Sequence, residues 1–503
     1  MQKRCQPQGR ETAGRRRLPF SLPWVCMRPA MSKPFSRRKL LKAAALTAVA
    51  ARPVGVPHVL ANASPNAKVQ VAVIGAANQG GISVNEVARL GERFVAFADV
   101  DERQFAKTAK ILAEYPEIKF DSIPQFFDYR QMFDKLHKQI DVVFVCTPDH
   151  HHATASMIAM RLGKGVYCEK PLAHSIHECR VMAQAAKKYN VTTQLGNQGH
   201  SREGIRRLCE YLWAGAIGNV TEVHAWAPTG RGGTGGRLPT RPVPKGLHWD
   251  EWIGPAQYRD YHDELHPALW RSWWEFGDGS LGDWGCHNLD GAFWALDLAQ
   301  PVSAEAIEQV GGSQERFPLV NVVRWDFPAR GNLPPLKLYW YDGYRAAKTA
   351  NPKKELGESL ELSQNRPPIV LELEKKYNRK FGDGGTIYIG DKGIMFSGNY
   401  CDSPRIVPEE KHRQFPVPER KLPRLKGTHQ ADFLRAFKEG TKACSDFEYG
   451  ARLTEMVLVG CLAERAGLHQ KITWDAAAMK VTSHPELNAL VQRQYRKGWE
   501  LEA

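Results

Sequence analysis

Four short stretches carry residue types suited to chemistry. The first is Gly75-Ala76-Ala77-Asn78-Gln79-Gly80-Gly81, which follows the apolar run Val69–Ile74. Glycines in such a turn let backbone N–H groups approach a pyrophosphate, and the helix that follows offers unpaired donors and the positive end of its dipole. Gly75, Asn78, Gln79 and Gly80 are therefore candidate phosphate-binding positions, although Ala77 stands where the middle glycine of G-x-G-x-x-G is expected. A second apolar run, Phe94–Ala98, stops at Asp99, 24 residues after Gly75. That is close to the spacing of roughly 20 at which a carboxylate accepts from ribose hydroxyls. A carboxylate there repels a 2′-phosphate, so NAD is expected rather than NADP.

The other stretches are Cys146-Thr147-Pro148-Asp149-His150-His151-His152, Cys168-Glu169-Lys170-Pro171 and Gly282-Asp283-Trp284-Gly285-Cys286-His287. Asp283 and His287 stand four apart, on one face if the segment is helical. A carboxylate beside an imidazole raises its basicity and orients the ring, giving a base poised near neutral pH. Lys170, desolvated beside a nicotinamide cation, is expected to have a lowered pKa and to polarise or protonate a substrate oxygen. Lys170, Asp283 and His287 form the expected catalytic set. Three successive histidines suggest a metal, but adjacent side chains point to different sides of the chain, so no metal site is expected.

These residues need elements to hold them. Strand-like and helix-like runs alternate over some 130 residues (Val69–Ile74, a helix through Leu90, Phe94–Ala98, a helix 102–114, Val142–Cys146, a helix from Ala153, Val166-Tyr167, a helix through Val181). The alternation predicts a doubly wound parallel α/β sheet, with Thr147 and Lys170 at strand C-termini, where ligands bind. From about Gly196 the style changes. Val220–Trp226 alternates as a strand with one covered face. A Gly/Pro/Arg-rich stretch, 229–246, is too irregular for core and long enough to be functional. Later strands at 319–325, 336–340, 387–390 and 393–396, with helices at 429–437 and 451–466, predict an α+β domain with a large, mostly antiparallel sheet. Arg345–Arg366 is polar and reads as a flexible insertion. Nine of 14 tryptophans fall between Trp213 and Trp294. They suggest a sugar-binding platform, with Trp270, Trp274 and Trp284 the best placed.

The Glu169-Lys170-Pro171 and Asp283-Trp284-Gly285-Cys286-His287 elements, in this order behind the glycine loop, resemble the glucose–fructose oxidoreductase / inositol dehydrogenase / MocA family. The resemblance covers the chain beyond its leader. It implies that Lys170 lies between nicotinamide and substrate, that Glu169 holds the nicotinamide ribose, and that Thr147, Pro148, His150 and His152 line the cofactor cleft. Gln198 joins the cofactor-binding set. Asp283 and His287 are implied to face the reacting carbon. The chemistry implied is hydride transfer at a CH–OH carbon of a sugar, polyol or glycoside. An alternative is glycoside cleavage by transient oxidation and elimination; a non-catalytic sugar-binding relative is a third reading. The family commonly assembles, and a sheet face in the second domain offers a surface for a homo-oligomer.

The 503 residues carry a net charge of +15. Residues 1–63 hold 13 of the 69 Lys and Arg but only one of the 54 acidic residues, leaving +3 for the rest. The basic character belongs to this leader, so no nucleic-acid footprint is expected. Ser36-Arg37-Arg38-Lys39-Leu40-Leu41-Lys42, the run Ala43–Ala51 and Ala61-Asn62-Ala63 have the order of a twin-arginine signal. Met31 is the more natural initiator and Ala63 the expected cleavage point. The run is too short to anchor in a membrane. Export by the twin-arginine machinery to the periplasm or beyond implies folding, with tightly bound NAD, before translocation, and no disulfide framework. The expected organisation is a leader (1–63), a dinucleotide-binding domain (64–196) and a substrate domain (197–503) whose C-terminal helices pack back on the first.

Overall fold

The computed structural model describes residues 68–346 and 362–501. The leader, its signal features, Cys5 and Cys26 lie outside the described residues, as does 347–361 at the centre of the polar insertion.

Six short strands, β1 (Gln70–Ile74), β2 (Arg93–Ala98), β3 (Gln125–Phe126), β4 (Val142–Val145), β5 (Gly165–Cys168) and β6 (Thr193–Leu195), form a sheet in the order β3-β2-β1-β4-β5-β6. All neighbours are parallel. The run Val-Ala-Val-Ile in β1 and Val-Val-Phe-Val in β4 is wholly buried, as parallel strands covered on both faces require. Strand polarity brings Gly75, Asp99, Cys146 and Glu169 to one edge, because each follows the last residue of its strand. Three elements are not apparent in the sequence pattern: β3, the helix Tyr129–Leu136 and β6. Their two- or three-residue strands are too short for a periodicity to register.

The second sheet holds β7 (Val220–Trp226), β8 (Ser303–Gly311), β9 (Pro318–Phe327), β10 (Leu336–Ala346), β11 (Leu362–Gln364), β12 (Gly385–Gly390), β13 (Gly393–Gly398), β14 (Arg405–Val407), β15 (Ile472–Asp475) and β16 (Lys480–Val481). Its order is β14-β13-β12-β7-β10-β9-β8-β15-β16, with β11 added beside β10. Only β7 and β10 run parallel.

Two expectations change here. β7 is covered on both faces from Val223 to Trp226, not on one. The helix Pro368–Tyr377 places Val370 and Leu373 in a cluster with Trp226 and Phe396. The polar stretch Arg345–Arg366 is also ordered at both margins. Arg345, within β10, pairs with Glu308, β11 pairs with β10, and Asn365 donates to the carbonyls of Asn321 and Asp342 at 3.0 Å each.

The long helix Phe447–Ala466 joins the two sheets. It packs on the helices Ile176–Lys188 and Gly279–Asn288 as well as on β8 and β9. Its Thr454 hydroxyl accepts from the Leu172 N–H at 3.2 Å and lies 3.7 Å from the Cys286 thiol. This one helix thus fixes the loop carrying Lys170 against the helix carrying Asp283. Arg180 and Glu455 add an ion pair at 2.6 Å across the same seam. All eight cysteines from Cys146 onward are unpaired, and six of them are buried. No helix of the described residues is long and apolar enough to cross a membrane.

Candidate functional site

A cavity of about 270 Å³ runs along the C-terminal edge of the parallel sheet. At one end lie Gly75, Ala77, Asn78, Gln79 and Asp99; at the other Thr147, Pro148, Glu169, Lys170 and Asp283.

The nucleotide end is made mostly of backbone. Gly75 has φ +77°, and at Gly80 an added Cβ would stand 1.8 Å from the Gly75 carbonyl oxygen. Only glycine permits this packing of the turn under the helix Gln79–Arg89. Gly80 therefore sits behind the cleft wall. Asn78, at the helix N-cap, makes no capping hydrogen bond with its side chain. Instead its amide donates to Gln104 at 3.3 Å and its oxygen accepts from Lys107 at 3.2 Å, while the N–H groups of Gly80 and Gly81 donate to the carbonyls of Ala77 and Asn78. Asp99 accepts from the Asp101 N–H at 3.1 Å, and burial pushes its pKa up to about 7.

The other end is a charge cluster. Lys170 Nζ donates to Oδ1 of Asp283 at 2.8 Å and to its backbone carbonyl at 2.6 Å. Arg231 and Arg271 each approach the same carboxylate through Nε at 3.3 Å. Burial works against the Asp283 charge, but Lys170 and Arg271 outweigh it and hold the carboxyl far below its usual range. Burial likewise opposes the Lys170 ammonium, yet the Asp283 carboxylate holds its pKa above the ordinary lysine value. The lowered lysine pKa expected from desolvation is therefore corrected: in this chain an ion pair outweighs burial. Burial pushes both Glu169 and Asp149 up to about 7.

Three sequence expectations move. His150 and His152 do not line the cleft. The two ring nitrogens of His150 face the carbonyls of Phe276 (3.2 Å) and Trp252 (2.9 Å), and those of His152 face Pro171 (2.7 Å) and Thr147 (3.0 Å). Both histidines are sealed in the wall, and His151 takes the lining position. His287 shares the helix Gly279–Asn288 with Asp283, as the spacing predicts, but no hydrogen bond joins them. Its ring is buried beside Tyr400, Nδ1 has no partner, and burial, then the Lys170 charge, holds its pKa far below 6.5. The Asp283 charge does favour its protonation, but burial and the Lys170 charge outweigh it. Of the tryptophans, Trp270 lines the cleft. Trp274 packs on Phe317 away from it, and Trp284 stacks near His287 and Tyr400.

Gln198 stands behind Glu169, donating to it at 3.4 Å. Residues that sequence reasoning passed over are Asp149, His151, Arg231, Arg271 and Trp252. Arg271 lay within the tryptophan-rich stretch and Arg231 within the Gly/Pro/Arg-rich loop, both flagged for composition but not for these residues. Among the described residues no group of three or more His, Cys, Asp or Glu is arranged to hold a metal.

The cleft fits a nicotinamide dinucleotide on its own evidence. Thr147 Oγ1 and Glu169 Oε2 are buried polar atoms with no partner, a state that costs about 1–3 kcal/mol each unless something fills it. Both sit between the glycine turn and Lys170, where a ribose and ring would lie.

Residues 69–197 match the model of an oxidoreductase family with an NAD-binding Rossmann fold, Gfo/Idh/MocA, and residues 217–314 match that family's C-terminal alpha/beta domain. A levoglucosan dehydrogenase of Pseudarthrobacter phenanthrenivorans is 26% identical over 203 residues, 39% of this chain and 44% of that protein. An alpha-N-acetylgalactosaminidase of Bacteroides fragilis is 30% identical over 135 residues, 26% of this chain and 31% of that protein. The chain thus spans less than half the length of these curated relatives. The WlbA dehydrogenase of Bordetella pertussis, solved with NADH and UDP-GlcNAcA, has the same fold, with a TM-score of 0.52 at 14% identity over 81% of this chain and 99% of that one. Over residues 69–197 and 217–314 the chain thus carries the two domains of the Gfo/Idh/MocA oxidoreductase family, the first of them an NAD-binding Rossmann domain.

Proposed function

We propose that the chain is an NAD-dependent oxidoreductase transferring a hydride between the nicotinamide and a CH–OH carbon of a sugar, polyol or glycoside. The observation that carries this is the Lys170 ammonium, locked to Asp283 at the end of a cleft whose other end is a glycine turn closed by Asp99.

When bound, NAD supplies the hydride acceptor, and NADH the donor. The chain supplies the rest. Glu169 and Thr147 hold the ribose through their unpartnered oxygens, and Asp99 accepts from the distal ribose. Lys170 donates a hydrogen bond to the reacting oxygen. In the reducing direction the Lys170 ammonium passes its proton to that oxygen; in the oxidising direction its deprotonated amine takes the hydroxyl proton as the hydride leaves. Asp283 aims the side chain and stabilises the ammonium form. His287, held neutral, acts as a nearby hydrogen-bonding partner rather than as the base. The cleft walls, with Trp270 and Trp252, exclude water from the hydride path.

The proposal extends to export by a twin-arginine signal, with NAD loaded before translocation and retained tightly, and to a homo-oligomer. Its support is the Arg37-Arg38 leader and the absence of a soluble nicotinamide pool outside the cytoplasm. Denaturing the purified protein and identifying the released nucleotide tests it: NAD or NADH is expected. Nucleotide-free protein that takes up neither on titration overturns the proposal. A panel of sugars followed at the nicotinamide absorbance then identifies the substrate.

The identity shared with an alpha-N-acetylgalactosaminidase favours a second reading, glycoside cleavage by transient oxidation, elimination and return of the hydride. Release of an aryl aglycone without added cofactor selects it; accumulation of a keto-sugar selects the oxidoreductase.

A further inference from the structure

Lys170, Arg231 and Arg271 all converge on the single carboxylate of Asp283. Two further acids border the cluster, Asp149 and Glu169, and burial leaves each only partly ionised near pH 7. Of these acids only Asp283 makes direct contact with the three cations, so one carboxylate is shared among them. We infer that the substrate itself carries an anionic group, a carboxylate or a phosphate, and that Arg231 and Arg271 receive it. This rests on the proposed function and deepens it by naming a substrate class.

The geometry of the two arginines supports a receiving role over a merely structural one. A closed arginine–carboxylate pair has two parallel N–H donors at about 2.7–2.9 Å. Arg231 and Arg271 instead touch Asp283 through Nε alone, at 3.3 Å. The terminal nitrogens of Arg231 have no partner among the described residues, and of those of Arg271 only Nη1 has one, the Ala268 carbonyl at 3.3 Å. Other arginines of this chain do show the closed pairing, as Arg180 does with Glu455 at 2.8 and 2.6 Å. The planar fork left open on Arg231 and Arg271 matches the paired oxygens of a carboxylate or phosphate.

Both forks are also held in place before any ligand arrives. Arg271 lies over the Trp270 ring, 4.2 Å from its centroid, and Trp270 is buried. The backbone N–H of Arg231 donates to Ser280 Oγ at 2.6 Å, on the helix that also carries Asp283. Next to it, a side chain on Gly232 would stand 1.8 Å from the Pro318 carbonyl oxygen, so glycine lets this loop lie directly on β9. The side chains are 41% and 24% exposed, enough to meet a ligand.

The test uses full-length protein with bound NAD and a matched panel: neutral aldohexoses, the corresponding hexuronates, the hexuronate methyl esters, and the hexose 6-phosphates. The expected result is an anionic member whose kcat/KM exceeds that of its neutral parent, and of the methyl ester for a uronate, by at least about tenfold. Whether uronates or phosphates lead decides between carboxylate and phosphate. Arg271→Gln and Arg231→Gln should each lower that anion-to-neutral ratio at least about tenfold, and Arg271→Lys should restore part of it. Melting temperature checks that each variant is folded; if one is not, the substrate panel on the unaltered protein still decides. Neutral sugars or esters turned over as well as every anion, or no anion accepted at all, overturns the inference. Failure to hold NAD is a different result, and overturns the proposed function instead.

Discussion

The two ends of the cleft are built by different means. The nucleotide end is local: one strand, one turn and one helix from Val69 to Arg89, with a single carboxylate from the next strand. The reacting end is assembled from far apart: Lys170 after β5, Arg231 from a loop, Arg271 and Asp283 from the stretch around the helix Gly279–Asn288. Backbone shape makes the first, and charge balance among side chains makes the second. Damage to the first should therefore act on binding and fold, and damage to the second on turnover and its pH dependence.

The largest effect should come from the reacting end. Lys170→Met should lower kcat roughly 10²–10⁴-fold while NADH titration shows near-normal affinity. Loss of affinity in parallel with turnover would mean that the two ends are not separable.

Next is Gly80→Val. A side chain forced against the Gly75 carbonyl should destabilise the turn by about 1–3 kcal/mol or more and abolish nucleotide binding, seen as a lower melting temperature and no NADH uptake. Retained binding would show that the turn is not the phosphate site.

A smaller, sharper effect is expected from Asp283→Asn. Asp283 raises the Lys170 pKa, so removing its charge lets burial lower that pKa. The basic limb of the kcat/KM profile should then move to lower pH; an unmoved limb would assign it to another group.

The smallest effect concerns the wall between the two ends. His150 is held neutral by burial, with a folded-state pKa far below the ordinary 6.5 or so. A depressed pKa gives stability that is present above the unfolded value and lost as pH falls towards the folded one. His150→Leu should cost about 1–3 kcal/mol above pH 7, by removing the one hydrogen bond that the neutral ring can donate, to the Trp252 or the Phe276 carbonyl. The gap between the two proteins should narrow as pH drops below about 6, with little change in NADH affinity. A gap independent of pH would mean that His150 is not neutral in the fold.

This division also explains what could be read before any fold was known. The glycine turn, Asp99, the alternating elements and the strand ends bearing Thr147 and Lys170 are legible because parallel-sheet topology ties short motifs to fixed places. β7, the strands from 319 to 396 and the two late helices are found for a different reason: their apolar periodicity is long enough to register. The pairing partners of Asp283 are not legible. Nothing local in Pro228–Gly236 says that Arg231 reaches a helix some fifty residues on, and the Asp283–His287 spacing suggests a pair that Lys170 breaks. The histidine run misleads in the same way. All three rings have partners in the protein, His151 at the Trp252 carbonyl and the Tyr129 hydroxyl, and phase along a loop-to-helix junction, not residue type, decides that only His151 also lines the cleft.

The most direct test of the cleft as a nicotinamide site uses its own tryptophans, since Trp252 and Trp270 both line it. Nucleotide-free protein titrated with NADH should show saturable quenching of tryptophan emission with energy transfer to the reduced ring, at one nucleotide per chain, and Gly80→Val should abolish it. Quenching that never saturates, or that persists unchanged in Gly80→Val, would contradict a nicotinamide lying between the glycine turn and Lys170.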